Sequence, residues 1–293
     1  MSDGHYGRHA APPAGAPLGM AVVEQPAPQP APPARSRTSG GDAVRLVLRG
    51  IGQTLVTAGL VVLLFVVYEV WVTNLFAHAA QAKVHTALEN EWATGQDPLS
   101  LPGGSQNGIP IGKGIANIYI PRLGRDFAFT VVQGTGADSL EKGPGHYLGT
   151  ALPGQVGDFA MAGHRVGKGE PFLNLDHLKP GDSVIIETKQ SWFVYRVEGD
   201  AKTGNISAKD AHGVPGREVV YPDDGNVILP VPDNPGLAPG PNDHYMTMTT
   251  CHPKFTATQR MVVHAQLVTS MTVPRTGSKM PDSISALYNA AGV

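Results

Sequence analysis

The residue best suited to do chemistry is Cys251, the only cysteine among 293 residues. A lone thiol makes neither an internal disulfide nor a cysteine-rich zinc site, so it is either a small buried apolar group or a nucleophile. Met and Thr alternate along 246–249, which predicts a β-strand, and Pro253 ends that strand. Cys251 is therefore predicted at the end of a strand.

Two other side chains can assist a thiol at this position. The alternating stretch 258–268 predicts a strand that returns beside the first and brings Arg260 near the sulfur. A guanidinium is always charged, so it can stabilise a thiolate or a developing oxyanion. His164, which follows the apolar stretch 158–162, is the residue predicted to exchange a proton with the sulfur.

The other histidines are weaker candidates. His264 shares strand parity with Arg260 and stays open as an alternative to His164. His252 adjoins Cys251 and is expected to point to the opposite face of the strand. Four more histidines fall in predicted loops, where we expect them to be solvated: His146, His177, His212 and His244.

These motifs, taken together, resemble those of sortases. Thr-Met-Thr-Thr-Cys at 247–251 resembles the sortase strand Thr-Leu-x-Thr-Cys, with Met248 where Leu is usual. His164 in Ala-Gly-His-Arg and Arg260 are similar to the sortase histidine and arginine in position and order. Residues 145–155 and the Cys-His-Pro sequence are similar to class E, the actinobacterial housekeeping branch. The resemblance covers roughly 110–270.

The resemblance implies a function and site residues. Sortases cleave a C-terminal sorting signal between Thr and Gly and transfer the surface protein to an amine of a cell-wall precursor. Class E resemblance points to Leu-Ala-x-Thr-Gly in preference to Leu-Pro-x-Thr-Gly as the signal. It assigns catalysis to Cys251, His164 and Arg260, and substrate binding to Thr250 and Tyr147.

The fold class predicted from the residues is all-β. Short alternating strands separated by turn signals suit a small closed barrel, and the resemblance implies about eight strands with short helices. The predicted strands are 115–120, 127–132, 158–162, 183–188, 191–197, 219–221, 227–231, 245–250 and 259–268. A helical turn is predicted at 172–178.

The chain before the barrel predicts a membrane anchor. No charged residue occurs from 50 to 68, a length that suits the about 20 residues a transmembrane helix needs, and the N-terminal flank of this stretch carries Arg35, Arg37, Arg45 and Arg49. The positive-inside rule then places the N-terminus in the cytoplasm and the barrel outside; a cleaved signal peptide is the alternative. The predicted divisions are a Pro/Ala-rich disordered tail (1–42), an anchor (43–76), an extracellular stalk and linker (77–114), a catalytic barrel (115–270) and a C-terminal tail (271–293).

Composition limits the partners. A formal net charge of -2 gives no basic surface for nucleic acid. No cofactor and no required metal are predicted, because the adjacent carboxylates of Asp223 and Asp224 are most simply a solvated turn. The Pro-rich segment 204–243 departs from the sortase pattern, and within it Ile228, Leu229 and Val231 are interpreted as core in preference to groove residues.

Two other classes of function remain open. One is a membrane-anchored cysteine hydrolase that releases its product to water. The other is a non-catalytic extracellular β-module in which Cys251 is structural.

Overall fold

A computed structural model describes residues 40–68, 73–100 and 108–292. The chain divides into two compact units between Val56 and Thr57. Helix α1, Gly40–Val67, crosses this division, and its stretch Gly41–Val67 is long and apolar enough to span a membrane. The apolar side chains of α1 are exposed, which suits a helix whose environment is hydrocarbon. Residues 1–39 of the predicted tail 1–42 lie outside the described residues, and residues 40–42 are the first residues of α1 and not part of a disordered tail.

The second unit is built on a closed β-barrel. Its elements, in chain order, are α2 (Thr73–Ala93), β1 (Gly114–Tyr119), β2 (Ala128–Gln133), α3 (Ala137–Leu140), β3 (Gly145–His146), β4 (Gly157–Ala162), β5 (Ser183–Glu187), β6 (Ser191–Val197), β7 (Arg217–Val220), β8 (His244–His252), β9 (Gln259–Leu267), β10 (Val273–Pro274) and α4 (Asp282–Ala291). Eight of these strands pair in the ring β6-β5-β1-β2-β3-β4-β8-β9, which the β6–β9 pairing closes. The predicted closed eight-stranded barrel is confirmed, and β7 and β10 extend it from β9 and β6.

Strand parity sorts the side chains of β8 and β9. Met246 and Met248 of β8 and Val263 and Ala265 of β9 are fully buried in the barrel core. Because successive side chains of a strand point to opposite faces, residues of the other parity, including Cys251, lie on the outer face. The alternation of Met and Thr is thus the inside–outside pattern of the barrel wall.

One predicted strand, 227–231, is wrong. Residues Gly225–Ile228 form a 3-10 helix, and the Asp224 carboxylate caps it by accepting a hydrogen bond from the N–H of Asn226 at 3.1 Å. Pro230 and Pro232 follow, and neither has an N–H to donate to a strand ladder. Val231 is buried as predicted, in a small cluster with Val214 and Tyr245.

Helix α2 packs on the barrel. Its Leu88 and Trp92 are buried, and the side-chain amide of Gln81 bonds to the main-chain N–H and carbonyl of Thr130 on β2. Arg275 lies over the Trp92 ring at 4.6 Å and forms ion pairs with Glu89 and Glu187. This part of the predicted stalk is therefore attached to the barrel wall.

Helix α4 also packs on the barrel. Ile284, Leu287 and Tyr288 are buried in a cluster with Trp192 of β6. The predicted C-terminal tail thus includes an ordered helix.

Candidate active site

Cys251 lies near the C-terminal end of β8, with a free and partly exposed thiol. On one side β8 pairs with β4, which runs parallel to it and ends with Ala162 opposite Thr249. The sulfur is therefore on the outer face, at the edge of the barrel where both strands end.

His164 follows β4 and lies level with Cys251. Two hydrogen bonds continue the pairing past Ala162: the N–H of Gly163 donates to the carbonyl of Thr249 at 3.0 Å, and the hydroxyl of Thr250 donates to the carbonyl of Gly163 at 2.8 Å. In a parallel pair this continued register places residue 164 beside residue 251. The His164 Nε2 atom is buried and has no hydrogen-bond partner among the described residues.

The electrostatic surroundings of His164 favour a neutral imidazole. Burial, and then the positive charge of Lys168, lower the pKa of His164, while Glu141 opposes them. Lys168 and Glu141 are themselves joined by an ion pair of 2.6 Å. A neutral imidazole can accept a proton from a thiol or an amine, which is the role predicted for this residue.

Arg260 lies directly opposite Cys251 in the antiparallel β8–β9 ladder. Side chains in such positions share a face and have Cβ atoms about 4.5–5.5 Å apart. The Arg260 guanidinium donates hydrogen bonds of 3.0 Å each to the carbonyls of Ala257 and Gln259. The structure thus brings all three predicted catalytic positions to one edge of the barrel.

A cavity of about 130 Å³ opens beside Arg260. Its lining includes Tyr147, Ile228 and Thr249. The Tyr147 hydroxyl and Thr249 Oγ1 are 2.9 Å apart and hydrogen-bonded. Tyr147 is therefore near the predicted site, and Ile228, interpreted from the sequence as core, lines this cavity.

The two threonines before Cys251 have different positions. Thr250 is buried, and because its hydroxyl donates to Gly163, that hydroxyl supports the strand ends. Thr249 lines the cavity, and the sequence reasoning missed it. Strand parity was the signal that could have found it, because Thr249 and Cys251 are two residues apart and share a face.

His264 is fully buried away from the thiol. Its Nδ1 is 2.9 Å from Thr247 Oγ1 and its Nε2 is 3.0 Å from Glu218 Oε1. Both ring nitrogens are therefore used by neighbouring side chains, which disfavours His264 as the alternative to His164.

His146 is also buried, so its predicted solvation is wrong. Its Nδ1 is 2.8 Å from Gln133 Oε1 and its Nε2 is 3.0 Å from the carbonyl of Ala151. Burial lowers the pKa of His146 to about 4, although the hydrogen bond to Ala151 opposes this. Strand β3, which is only two residues long, gave no period-two signal that would have revealed this.

Among the described residues, one group of side chains is close enough to hold a metal ion: ligand atoms of Glu218, Asp233 and His264 lie within 4.8 Å of one another. Burial, and then the neighbouring Glu218 carboxylate, raise the pKa of Asp233 to about 7. Burial alone would raise the pKa of Glu218, but hydrogen bonds with His264 and Asp233 lower it. These opposite directions are those expected when a protonated Asp233 carboxyl donates a hydrogen bond to an ionised Glu218.

A closed barrel with a cysteine, a histidine and an arginine at one edge is the arrangement expected of a β-barrel cysteine enzyme. The sequence pattern of the Sortase domain family matches residues 118–268. The chain is 35% identical over 258 residues to sortase SrtE1 of Streptomyces coelicolor, a match that covers 86% of this chain and 64% of SrtE1. It is 31% identical to sortase SrtE2 of the same organism, over 80% of this chain and 87% of SrtE2.

A solved structure supports the same assignment. The SrtF sortase from Corynebacterium diphtheriae is 39% identical, with a TM-score of 0.53 over 60% of this chain and 93% of that chain. The chain belongs to the sortase family, whose members are cysteine transpeptidases, and its curated relatives place it in class E. It spans just under two thirds of the length of SrtE1.

Proposed function

We propose that the chain is a membrane-anchored transpeptidase that cleaves a C-terminal sorting signal between Thr and Gly and transfers the surface protein to an amine of a peptidoglycan precursor. The observation that carries this proposal is the pair of strand registers at Cys251. The β4–β8 register, which ends with Ala162 opposite Thr249, supports a position for His164 on one side of Cys251, and the β8–β9 register, which pairs Cys251 with Arg260, supports a position for Arg260 on the other.

The chemistry proceeds in two acyl transfers. His164 takes the proton of the Cys251 thiol, and the resulting thiolate attacks the Thr carbonyl carbon. The C–N bond to Gly then breaks as His164 gives that proton to the departing amine. The product is a thioester on Cys251. The acceptor amine then attacks this thioester and gives its proton to His164, and the C–S bond breaks to release the thiolate.

Arg260 stabilises the oxyanion in both steps. Its guanidinium is charged at all relevant pH values and shares a strand face with the sulfur. Donors held in place before the reaction contribute most when charge develops on the carbonyl oxygen. Tyr147 and Thr249, in the adjoining cavity, contact the residues of the signal and favour Leu-Ala-x-Thr-Gly over Leu-Pro-x-Thr-Gly.

Helix α1 is the membrane anchor in this proposal. Arg45 and Arg49 lie near its N-terminal end, so the positive-inside rule orients the N-terminus to the cytoplasm and the barrel outside. The divisions 1–42, 43–76, 77–114, 115–270 and 271–293 remain predictions, with α2 and α4 packed on the barrel. Adding a protease to intact cells tests the orientation. Cleavage of the barrel in intact cells is expected, and cleavage only after lysis would indicate the opposite orientation.

A transpeptidation assay tests the function. The full chain in detergent is mixed with fluorogenic Leu-Ala-x-Thr-Gly or Leu-Pro-x-Thr-Gly peptide, with and without a glycine oligomer, and the thioester is trapped for mass spectrometry. We expect a Cys251 thioester, an amide product when the oligomer is present, and faster turnover of the Leu-Ala peptide. Release of acid alone, unaffected by the amine, would identify a hydrolase instead.

Three alanine variants separate the enzyme from a structural module. Cys251→Ala, His164→Ala and Arg260→Ala are each expected to lose nearly all turnover while retaining the circular dichroism spectrum of the folded barrel. Full function of all three variants in cells would instead identify a non-catalytic β-module.

A further inference from the structure

Arg165, the residue after His164, is a buried cation. Only 3% of its surface is exposed. A charged side chain is rarely buried to this extent unless it is paired, because removing the charge from water costs several kcal/mol. The residues that contact the Arg165 guanidinium therefore indicate its role.

Its contacts join the two strand ends that form the candidate site. Nη1 donates a hydrogen bond to the main-chain carbonyl of Cys251 at 3.2 Å and lies 2.9 Å from Nδ1 of His252. Nη2 is 3.2 Å from the carboxylate of Asp176, which Lys254 also approaches to 3.9 Å. One guanidinium thus holds the residue that carries the nucleophile, the residue after it and a counter-charge.

Regular pairing is absent at this point, since β4 ends at Ala162. Beyond it, the described hydrogen bonds between the two strand ends are those from Gly163 to Thr249, from Thr250 to Gly163, from Arg165 to His252 and from Arg165 to Cys251. The last of these is the one that reaches the nucleophile itself. Arg165 thus supplies a side-chain hydrogen bond between the two strand ends where their main-chain pairing stops.

We propose that Arg165 is a positioning residue that fixes Cys251 relative to His164 and touches neither substrate nor the reacting atoms. The proposal rests on the proposed transpeptidase function, in which those two side chains exchange a proton. A displacement of about 1 Å between reacting groups can reduce a rate about 100-fold. We call the contacts of Arg165 with Cys251, His252 and Asp176 the clamp. Loss of the clamp therefore lowers kcat, whereas KM, which depends on the residues that bind the peptide, changes little.

Two substitutions remove different parts of the clamp. Arg165→Lys keeps the charge beside Asp176 but loses the planar fork that reaches several partners at once. Arg165→Met removes the charge and all donors. Arg217→Met is the matched control, because Arg217 donates to the main-chain carbonyl of the same Asp176 at 2.7 Å without contacting Cys251.

The experiment measures kcat and KM for peptide transfer, and the pH profile of Cys251 alkylation by iodoacetamide, with the full chain in detergent. In Arg165→Lys we expect kcat to fall about tenfold or more with KM within twofold, and the alkylation profile to shift towards that of His164→Ala. Arg217→Met is expected to keep both values within twofold. In a His164→Ala background, Arg165→Lys is expected to leave the alkylation profile unchanged.

Several results would overturn the proposal. These are a kcat for Arg165→Lys within twofold of wild type, equal losses in Arg217→Met and Arg165→Lys, or a further shift of the alkylation profile in the His164→Ala background. Should Arg165→Met fail to fold, Arg165→Lys decides the question. Alkylation needs no peptide, so an unchanged profile in folded Arg165→Lys refutes the positioning role even if the chain lacks transpeptidase activity, and the two failures are distinguishable.

Discussion

Gly163, the residue before His164, lies against the aromatic ring of Phe172. A Cβ atom at this position would lie 2.5 Å from Cδ2 and 2.9 Å from Cε2 of Phe172. The Phe172 ring is fully buried, so it cannot move aside into solvent. Gly163→Ala must therefore shift the ring or the strand end, and overpacking of a core in this way costs about 1–3 kcal/mol of the free energy of unfolding.

The same shift reaches His164. The main-chain N–H of Phe172 donates to the carbonyl of His164 at 3.0 Å, so displacement of Phe172 also displaces the residue predicted to carry the proton. In urea unfolding, with a slope of about 2 kcal/mol per M, a loss of 2 kcal/mol lowers the midpoint by about 1 M. Turnover per folded molecule should fall as well, by about tenfold or more.

A control and a compensating change make this prediction sharp. Gly136 has ordinary extended backbone, with φ of -68°, and nothing within 4 Å of an added Cβ, so Gly136→Ala should change stability by less than about 0.5 kcal/mol. Phe172→Leu makes room for the new methyl group, so the double variant with Gly163→Ala should lose less than the sum of the single losses. A Gly163→Ala midpoint equal to wild type, or strict additivity with Phe172→Leu, would refute the reasoning.

Three further predictions concern the site and its surroundings. The pKa of Asp233 is about 7 in the folded protein and 3.8 ordinarily, so its stabilising contribution beside Glu218 is complete below about pH 4 and is lost as the pH rises to about 7. In urea unfolding between these pH values, Asp233→Asn should abolish the resulting fall in the free energy of unfolding with pH. The same pH dependence in the variant as in the wild type would contradict the assignment. Tyr147→Phe removes a hydrogen bond to Thr249 worth about 1 kcal/mol, so kcat/KM for the Leu-Ala-x-Thr-Gly peptide should fall about fivefold, and an unchanged ratio to the Leu-Pro-x-Thr-Gly peptide would exclude Tyr147 from signal choice. Dialysis against a chelator should leave turnover and Tm unchanged, whereas a loss restored by a divalent cation would assign a metal to the cluster that includes His264.

The barrel strands could be predicted where one face is apolar and the other polar. In β8, the period-two pattern of Met and Thr indicates both the strand and the side of the barrel on which Cys251 lies. The same information was sufficient to place Arg260 on the outer face of β9. The predicted strand at 227–231 failed because its apolar residues satisfied the pattern while the flanking prolines excluded the hydrogen bonds.

The packing of α2 could not be predicted from hydrophobicity. Leu88 and Trp92 are its main buried apolar side chains, and much of its contact with the barrel is made by polar groups such as Gln81 and Glu89. A helix that uses polar groups at an interface has the composition of a solvated helix. Its interface becomes visible only when the partner strand is known.

The three predicted catalytic residues meet because of strand direction, although 96 positions separate His164 from Arg260. Parallel β4 and β8 both end at the same edge of the sheet, so the residue after β4 and the last residues of β8 lie together there. Antiparallel β9 begins at that edge, which brings in Arg260. Register decides whether this meeting is useful: a slip of β8 by one residue would turn Cys251 inward, to the face that Met248 now occupies, and put Thr250 in its place.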